Sequence, residues 1–363
     1  MTAVRIAVIG AGSIGRKHID VLRKGGADYT LAGVADPAPA AAEEAQRLVY
    51  PIYTTIEEML ERVKPEGAVI AVPNQMHHAA SLACIARGVH VLVEKPIADS
   101  IAAALEICDA AAKAKVGVLV GHHRRHNPLM RKAAEIISGG GVGKIVAVNG
   151  MWLSRKPDPY FNVAWRREPG GGPILINAIH DIDCLRMLCG DVETVQAASG
   201  ATVRPYPVED TAGAVLRFKN GAIGTFIVSD AASAPWSWEW TSRENPLRPF
   251  EPESCYLVAG TRGSLAVPSL QHRWHEPGRE DWDVELTQRR VHVALEDAYY
   301  AQARNLADVV RGKAAPVLDG LGGTRTLATT LAITESAKTG VPVNVDDFME
   351  RARDRSQHHA QGN

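Results

Sequence analysis

The chain has 363 residues, 46% of them hydrophobic and 22% charged, with a formal net charge of −1. That composition is globular, and the length suits two domains with apolar material enough for real cores. A charge so near zero excludes a strong pull on nucleic acid or an anionic membrane, and no run approaches the ~20 apolar residues that a membrane span needs.

The first third alternates short apolar runs with helical segments. VRIAVIG reads as a strand and Ile14 to Lys24 as a helix; YTLAGVAD is a second strand, followed by an Ala/Glu-rich helix from Ala38 to Leu48. A short helix over Ile56 to Val63, the strand GAVIAVP and a helix over His77 to Arg87 come next. HVLVEKP, a helix over Ile101 to Lys115 and GVLVGHH complete the series. Strands that are apolar throughout and separated by helices predict a doubly wound parallel sheet covered on both faces.

Near residue 124 the pattern changes. Pro128 to Ser138 predicts one more helix, and then strand-like runs follow one another: KIVAVNGMWLS, TVQAASGATV, TAGAVLRFKNG, AIGTFIVSDA and CYLVAGTRGSLAV. Asn220-Gly221 between two of them is a hairpin signal. This half is expected to be a large, mostly antiparallel open sheet, with helices around His180 to Leu188, Glu296 to Val310 and Thr324 to Lys338. The division is a nucleotide-binding domain over 1–123, a second α/β domain over 124–350, and a polar, frayed tail over 351–363 in which His358-His359 reads as tail rather than metal site.

Trp236, Trp238 and Trp240 are two apart, so in a strand they would share one face, as core, as a subunit interface or as a platform for a sugar-like ring. A sheet face without helices needs cover, which predicts a homo-oligomer, a homodimer or homotetramer, formed through this half. The five cysteines (Cys84, Cys108, Cys184, Cys189, Cys255) form no CxxC pair and no metal-ligand spacing, so they read as buried thiols in a reducing compartment, and no metal is expected. Val4 to Ile9 passes directly into glycines with no secretory pattern, which fits a soluble, cytoplasmic protein.

GAGSIG, Gly10 to Gly15, is a complete GxGxxG placed between the first strand and the first helix. Gly10 suits the tight turn, Gly12 lets the backbone approach a pyrophosphate, and Gly15 lets the helix pack on the strand. Ser13 and Ile14 then open a helix whose amides and dipole favour phosphate. Asp36 ends the second strand, 21 residues after Gly15, where an acid accepts from a ribose diol and repels a 2′-phosphate. This predicts NAD in preference to NADP, with Arg16 as the nearby cation that could reverse it. Pro73, Asn74, Glu94 and Lys95 stand at strand ends on the carboxyl edge, where ligands of such folds bind, and His77 is a further candidate for cofactor contact.

These pieces together resemble the Gfo/Idh/MocA family of oxidoreductases, named for glucose-fructose oxidoreductase and inositol dehydrogenase. The resemblance runs over nearly the whole chain: AGSIGRKH, GVADP, Val93-Glu94-Lys95-Pro96, GHHRRHNP (121–128), Val163-Ala164-Trp165-Arg166, GGGPILINAIHDID (170–183) and ESAKTGVPV (335–343). It implies a Rossmann domain followed by an α/β domain, and hydride transfer between a nicotinamide and a secondary alcohol of a sugar, cyclitol or related polyol. Lys95 matches the family's active-site lysine, which would stabilise alkoxide charge or relay a proton, and His180 its catalytic histidine. Asp181 and Asp183 diverge on a helix, so at most one can orient His180. Many members place Asp four residues before that histidine. Here the position is Ile176, and the neighbouring Asn177 offers a neutral amide that both donates and accepts. Asn177, Arg125, Trp165, Arg166 and Asp181 are therefore the candidate substrate contacts, Asn127 is a further candidate for substrate or cofactor, and the arginines allow an acidic substrate. Two alternatives stand beside the dehydrogenase: a non-catalytic NAD-binding regulatory protein of the same fold, and an epimerase or lyase that cycles a tightly held NAD.

Overall fold

The computed structural model describes residues 2–361, with side chains as far as Asp354, so His358 and His359 lie outside the described side chains. In chain order the first elements are β1 (Val4–Ile9), α1 (Ser13–Arg23), β2 (Tyr29–Ala35), α2 (Pro39–Leu48), β3 (Ile52–Tyr53) and α3 (Ile56–Val63). β4 (Gly67–Ile70), α4 (His77–Ile85), β5 (His90–Val93), α5 (Ile101–Ala114) and β6 (Val118–Val120) follow. The six strands pair in parallel in the order β3-β2-β1-β4-β5-β6. Helices on both faces leave these strands dry: Ile6, Val8, Val69 and Leu92 are fully buried. Sequence signals place the helix starts. Thr55 Oγ accepts from the Glu58 amide and Ser100 Oγ from the Ala103 amide, each satisfying a donor at an open helix end.

The middle of the chain holds α6 (Pro128–Ser138), β7 (Ile145–Leu153), α7 (Ile179–Cys189), β8 (Val192–Gly200), β9 (Thr211–Phe218) and β10 (Ile223–Ser229). After these come α8 (Trp238–Thr241), β11 (Tyr256–Gly260), β12 (Gly263–Val267), β13 (Gln271–Trp274) and β14 (Thr287–Arg290). The chain ends with α9 (Ala298–Val310), α10 (Gly320–Thr339), β15 (Val343–Asn344) and α11 (Val345–Gln361). A nine-stranded sheet runs β14-β13-β12-β11-β7-β10-β9-β8-β15. It is antiparallel except where β7 and β10 lie parallel. The Asn220-Gly221 turn joins β9 to β10, with Gly221 at φ +89°. One face of this sheet is packed: Ala212, Ala214, Leu216 and Phe218 of β9 point inward, and Gly150 leaves room for Leu185 of α7. The other face exposes Val146, Val215, Ile223, Ile227 and Leu257, each 39–52% accessible.

Packing divides the chain into two compact units. The first comprises the residues up to His126, Asp297–Leu327 and the residues from Arg351 on; the second comprises Asn127–Glu296 and Ala328–Glu350. One cut near residue 123 does not describe this, because the chain returns to the first unit. α9 buries Leu306 and Ala307 in the parallel-sheet core, and the missing side chain of Gly67 admits Leu306 at 3.5 Å from where a Cβ would stand. The segment expected to fray is instead helical: α11 runs to Gln361, and Arg353 pairs with Asp109 at 3.5 Å. The tryptophan trio is corrected too. Ser237 starts α8, so no strand aligns the three rings. Trp238 is fully buried, stacks on Tyr256 and donates to Glu244; Trp240 donates to Ser154; only Trp236 is exposed. Among the described residues no helix is long and apolar enough to cross a membrane.

Candidate functional site

The first unit carries a nucleotide cradle at the turn from β1 to α1. Gly10 sits at φ +95°, and a Cβ there would lie 2.6 Å from the Ala71 carbonyl oxygen. At Gly15 a Cβ would lie 2.0 Å from the Gly10 oxygen, so α1 packs on the turn itself. At Gly12 a Cβ would meet nothing within 4 Å. The three glycines thus divide as turn, cradle and close packing. No side chain caps the start of α1 and its first turn holds no acid, so the amides there, from Ser13 and Ile14 on, suit an anion. Asp36 is fixed at both oxygens, Oδ2 accepting from the Ala11 amide at 2.6 Å and Oδ1 from the Ala38 amide at 2.8 Å. Both contacts leave lone pairs for a diol. Arg16 pairs with Glu44 at 2.8 Å. A cavity of about 430 Å³ joins Gly10, Gly12, Asp36, Thr55, Pro73 and Met76. Its glycine floor, bare helix start and anchored acid fit a dinucleotide.

The strand-end residues sort differently. Lys95 is half-buried just beyond β5. Glu94 is 6% exposed, its Oε1 2.8 Å from His18 Nε2 and its Oε2 accepting from the Lys95 amide at 3.2 Å. Burial pushes the Glu94 carboxyl up, but the hydrogen bond and charge of His18 outweigh it and hold the group below the usual carboxylate range. Glu94 therefore ties α1 to the strand end; it is a support, which corrects its place among cofactor ligands. His77 is corrected in the same way. It is 1% exposed, with Nδ1 2.8 Å from the Pro96 oxygen and Nε2 2.9 Å from the Val72 oxygen. Both ring nitrogens serve backbone carbonyls, and burial holds its pKa below the ordinary histidine value. Asn74 is half-buried in a short 3₁₀ turn, and Arg125 is half-buried in another over His123–His126.

In the second unit a π-helical turn, Ile174–Ala178, precedes α7. Such turns recur at functional sites. It follows the triple glycine, whose tightness now has a cause: a Cβ on Gly171 would stand 2.3 Å from the Trp165 oxygen, and one on Gly172 2.2 Å from a Glu209 carboxylate oxygen. Asn177 on this turn is half-buried, and its Oδ1 accepts from Lys156 Nζ at 2.7 Å. Lys156 also pairs with Asp230 at 3.4 Å and lies over the Tyr160 ring, 4.6 Å from its centroid. Arg204 pairs with the same Asp230. Arg166 stacks on Tyr160 at 4.0 Å and donates to its carbonyl at 2.9 Å, while Trp165 is 49% exposed. Burial holds the Lys156 ammonium below its ordinary pKa, against the charge of Asp230, and pushes the Glu209 carboxyl up.

His180 is half-buried on the first turn of α7. Asp181 is fully buried and accepts from the Tyr256 hydroxyl, which anchors α7 to β11 and corrects its assignment to substrate. Asn127 likewise caps α6 through the Leu129 amide and donates to Glu244, so it belongs to the scaffold. Lys156, Arg204, Glu209 and Asp230 were not singled out from the sequence. Their one signal is an ionisable residue just past an apolar strand, as at Asp230 after β10, and that signal is common on surfaces.

Comparison with known proteins matches the chain in two parts, on either side of residues 123–129. A model of an oxidoreductase family with an NAD-binding Rossmann fold matches residues 4–122, and a model of the GFO/IDH/MocA C-terminal domain matches residues 130–266. The chain is 26% identical over 348 residues to 1,5-anhydro-D-fructose reductase from Ensifer adhaerens, covering 94% of this chain and 98% of that protein. It is 25% identical over 354 residues to scyllo-inositol 2-dehydrogenase (NAD(+)) from Bacillus subtilis (strain 168), covering 94% and 96%. Among solved structures, the WlbA dehydrogenase from Chromobacterium violaceum, in complex with NADH and UDP-GlcNAcA, aligns with a TM-score of 0.77 at 26% identity, covering 95% and 96%.

Proposed function

The chain belongs to the Gfo/Idh/MocA family of oxidoreductases, and from that premise we propose that it interconverts a secondary alcohol and its ketone on a sugar, cyclitol, related polyol or hydroxy acid, using NAD in preference to NADP. The observation that carries the reading is the cradle: an open position at Gly12 beside an uncapped helix start, with Asp36 pinned at the ribose end. The nicotinamide supplies the hydride acceptor or donor. Every other task falls to the protein. Gly12 and the first amides of α1 hold the pyrophosphate, and Asp36 holds the ribose diol and disfavours a 2′-phosphate. The Lys95 ammonium stabilises charge on the reacting oxygen, and His180 takes the hydroxyl proton in oxidation and returns it in reduction. Asn177, Trp165, Arg166 and Arg125 orient the substrate. The relatives named above, a sugar-derivative reductase and a cyclitol dehydrogenase, support this class. The exposed apolar face of the large sheet supports a homodimer or homotetramer, and five free cysteines fit work in the cytoplasm.

The test is a panel of polyols, sugars and sugar acids followed by NADH absorbance and repeated with NADP. Lys95→Ala and His180→Ala should each lower turnover by roughly 10²- to 10⁴-fold while NADH binding persists. Cofactor binding with no turnover of any alcohol would turn the assignment to the non-catalytic reading. Cofactor that copurifies and never exchanges would turn it to the redox-cycling one.

A further inference from the structure

The polar corner around Lys156 carries an imbalance between donors and acceptors. An ammonium donates and cannot accept, so Lys156 Nζ, 2.7 Å from Asn177, can meet only the oxygen end of that carboxamide. This settles which way round the amide sits. Oδ1 is turned to Lys156, and the NH₂ group faces whatever else Asn177 meets. The amide that the sequence allows to donate or accept thus turns its donor end away from Lys156.

The acceptors of the corner already receive donors of their own. Asp230 receives Lys156 at one carboxylate oxygen, Arg204 at the other, and Arg204 again at its backbone oxygen, 2.6 Å away. The Tyr160 carbonyl receives Arg166 Nη1, and Glu209 Oε1 receives the Ile174 amide at 3.1 Å. Donors remain. Asn177 Nδ2 has no partner among the described residues, and neither does Arg166 Nε, which is buried. Lys156 and Arg166 both lie over the Tyr160 ring, 4.6 and 4.0 Å from its centroid, so each donor belongs to a residue tied to this one side chain or its partner. A substrate hydroxyl could accept from these donors too, but it also brings a proton of its own to place. A carboxylate brings acceptors alone, and buried donors left unmatched cost free energy.

Resting on the assignment of Asn177 to the substrate side, we propose that Lys156 is a positioning residue that holds the Asn177 carboxamide with its NH₂ outward, and that Asn177 and Arg166 receive a carboxylate, which makes the preferred alcohol a sugar acid or other hydroxy acid. A site built of fixed donors discriminates strongly against a ligand that cannot fill them.

The experiment is calorimetric titration of the NADH-loaded protein with D-gluconate, D-glucuronate and D-glycerate, each beside its neutral counterpart: sorbitol, D-glucose and glycerol. At least one acid should bind tenfold or more tightly than its counterpart. Lys156→Met and Asn177→Leu should each cut that ratio at least tenfold, and Lys156→Arg should hold it within about threefold of the native value. Asn177→Asp keeps an acceptor for Lys156 but puts a carboxylate oxygen where the NH₂ stood, so it should reverse the preference toward the neutral compound. If Lys156→Met does not fold, Asn177→Leu, at a half-buried turn position, carries the test. The proposal is overturned if no acid outbinds its counterpart, or if both Lys156→Met and Asn177→Leu keep the native ratio. Because the readout is binding, it is separate from the reaction. Acid preference without turnover of any alcohol would sink the dehydrogenase and leave the pair standing; turnover of neutral polyols without acid preference would sink the pair alone.

Discussion

Two alanines in one loop should behave in opposite ways. At Gly15 a methyl carbon would stand 2.0 Å from the Gly10 carbonyl oxygen, over 1 Å inside the closest ordinary approach. The turn cannot retreat, because a side chain on Gly10 would itself run into the Ala71 backbone at 2.6 Å. α1 must lift instead, and overpacking of this kind costs ~1–3 kcal/mol. At ~2–4 °C per kcal/mol for a domain of this size, Gly15→Ala should lower the melting temperature by roughly 2–12 °C. Gly12 has φ −66°, which alanine adopts readily, and no atom lies within 4 Å of the new methyl. Gly12→Ala should therefore melt at or slightly above the native temperature, since it removes ~0.4–1 kcal/mol of unfolded-chain freedom. The methyl would, however, occupy the space proposed for pyrophosphate, and NADH affinity should fall by about tenfold or more, which is ~1.4 kcal/mol. Thermal unfolding and NADH fluorescence titration read the two effects separately. If Gly12→Ala binds NADH as the native chain does, or if Gly15→Ala melts with it, the division of labour among the three glycines is wrong.

Asp36→Ala should raise the ratio of NADPH to NADH affinity by about tenfold or more, because it removes the charge facing a 2′-phosphate; fluorescence titration with both cofactors decides. Glu94→Gln should destabilise at neutral pH by ~1.5–3 kcal/mol, the range for a hydrogen bond to a charged group. Since the Glu94 pKa is lowered on folding, its contribution is present above the ordinary glutamate value of ~4.3 and is lost as pH falls through the lower folded value. The gap in melting temperature between native and variant should accordingly be widest near pH 7 and close in acid; a gap that widens in acid would contradict the direction given. Burial pushes the Cys84 and Cys189 thiols up to about 12, so at pH 8 roughly one in ten thousand is thiolate. Iodoacetamide should leave both unmodified in the native protein and alkylate them on unfolding, as peptide mass mapping would record.

Local signals placed helices well in both units. Pro128–Ser138 and Ile56–Val63 end where their sequence limits lie, because caps and apolar periodicity agree there. The two-residue β3 escaped notice, being too short for any periodicity. His77 was misplaced because a strand-end histidine looks the same in sequence whether it faces ligand or backbone; only the Val72 and Pro96 carbonyls on either side decide. Spacing of two among Trp236, Trp238 and Trp240 suggested a strand, yet Ser237 opens a helical turn between them and tertiary packing takes Trp238 inward. Lys156 and Asp230 are 74 positions apart and become partners only through the parallel pairing of β7 with β10, which nothing local to either residue announces.

The late return of the chain has a consequence for biosynthesis. Leu306 and Ala307 complete a core whose other walls leave the ribosome some two hundred residues earlier. Until α9 emerges, the nascent nucleotide-binding lobe carries an unfilled greasy slot over Gly67, and chains stalled or clipped before position 297 would present it to chaperones and to one another.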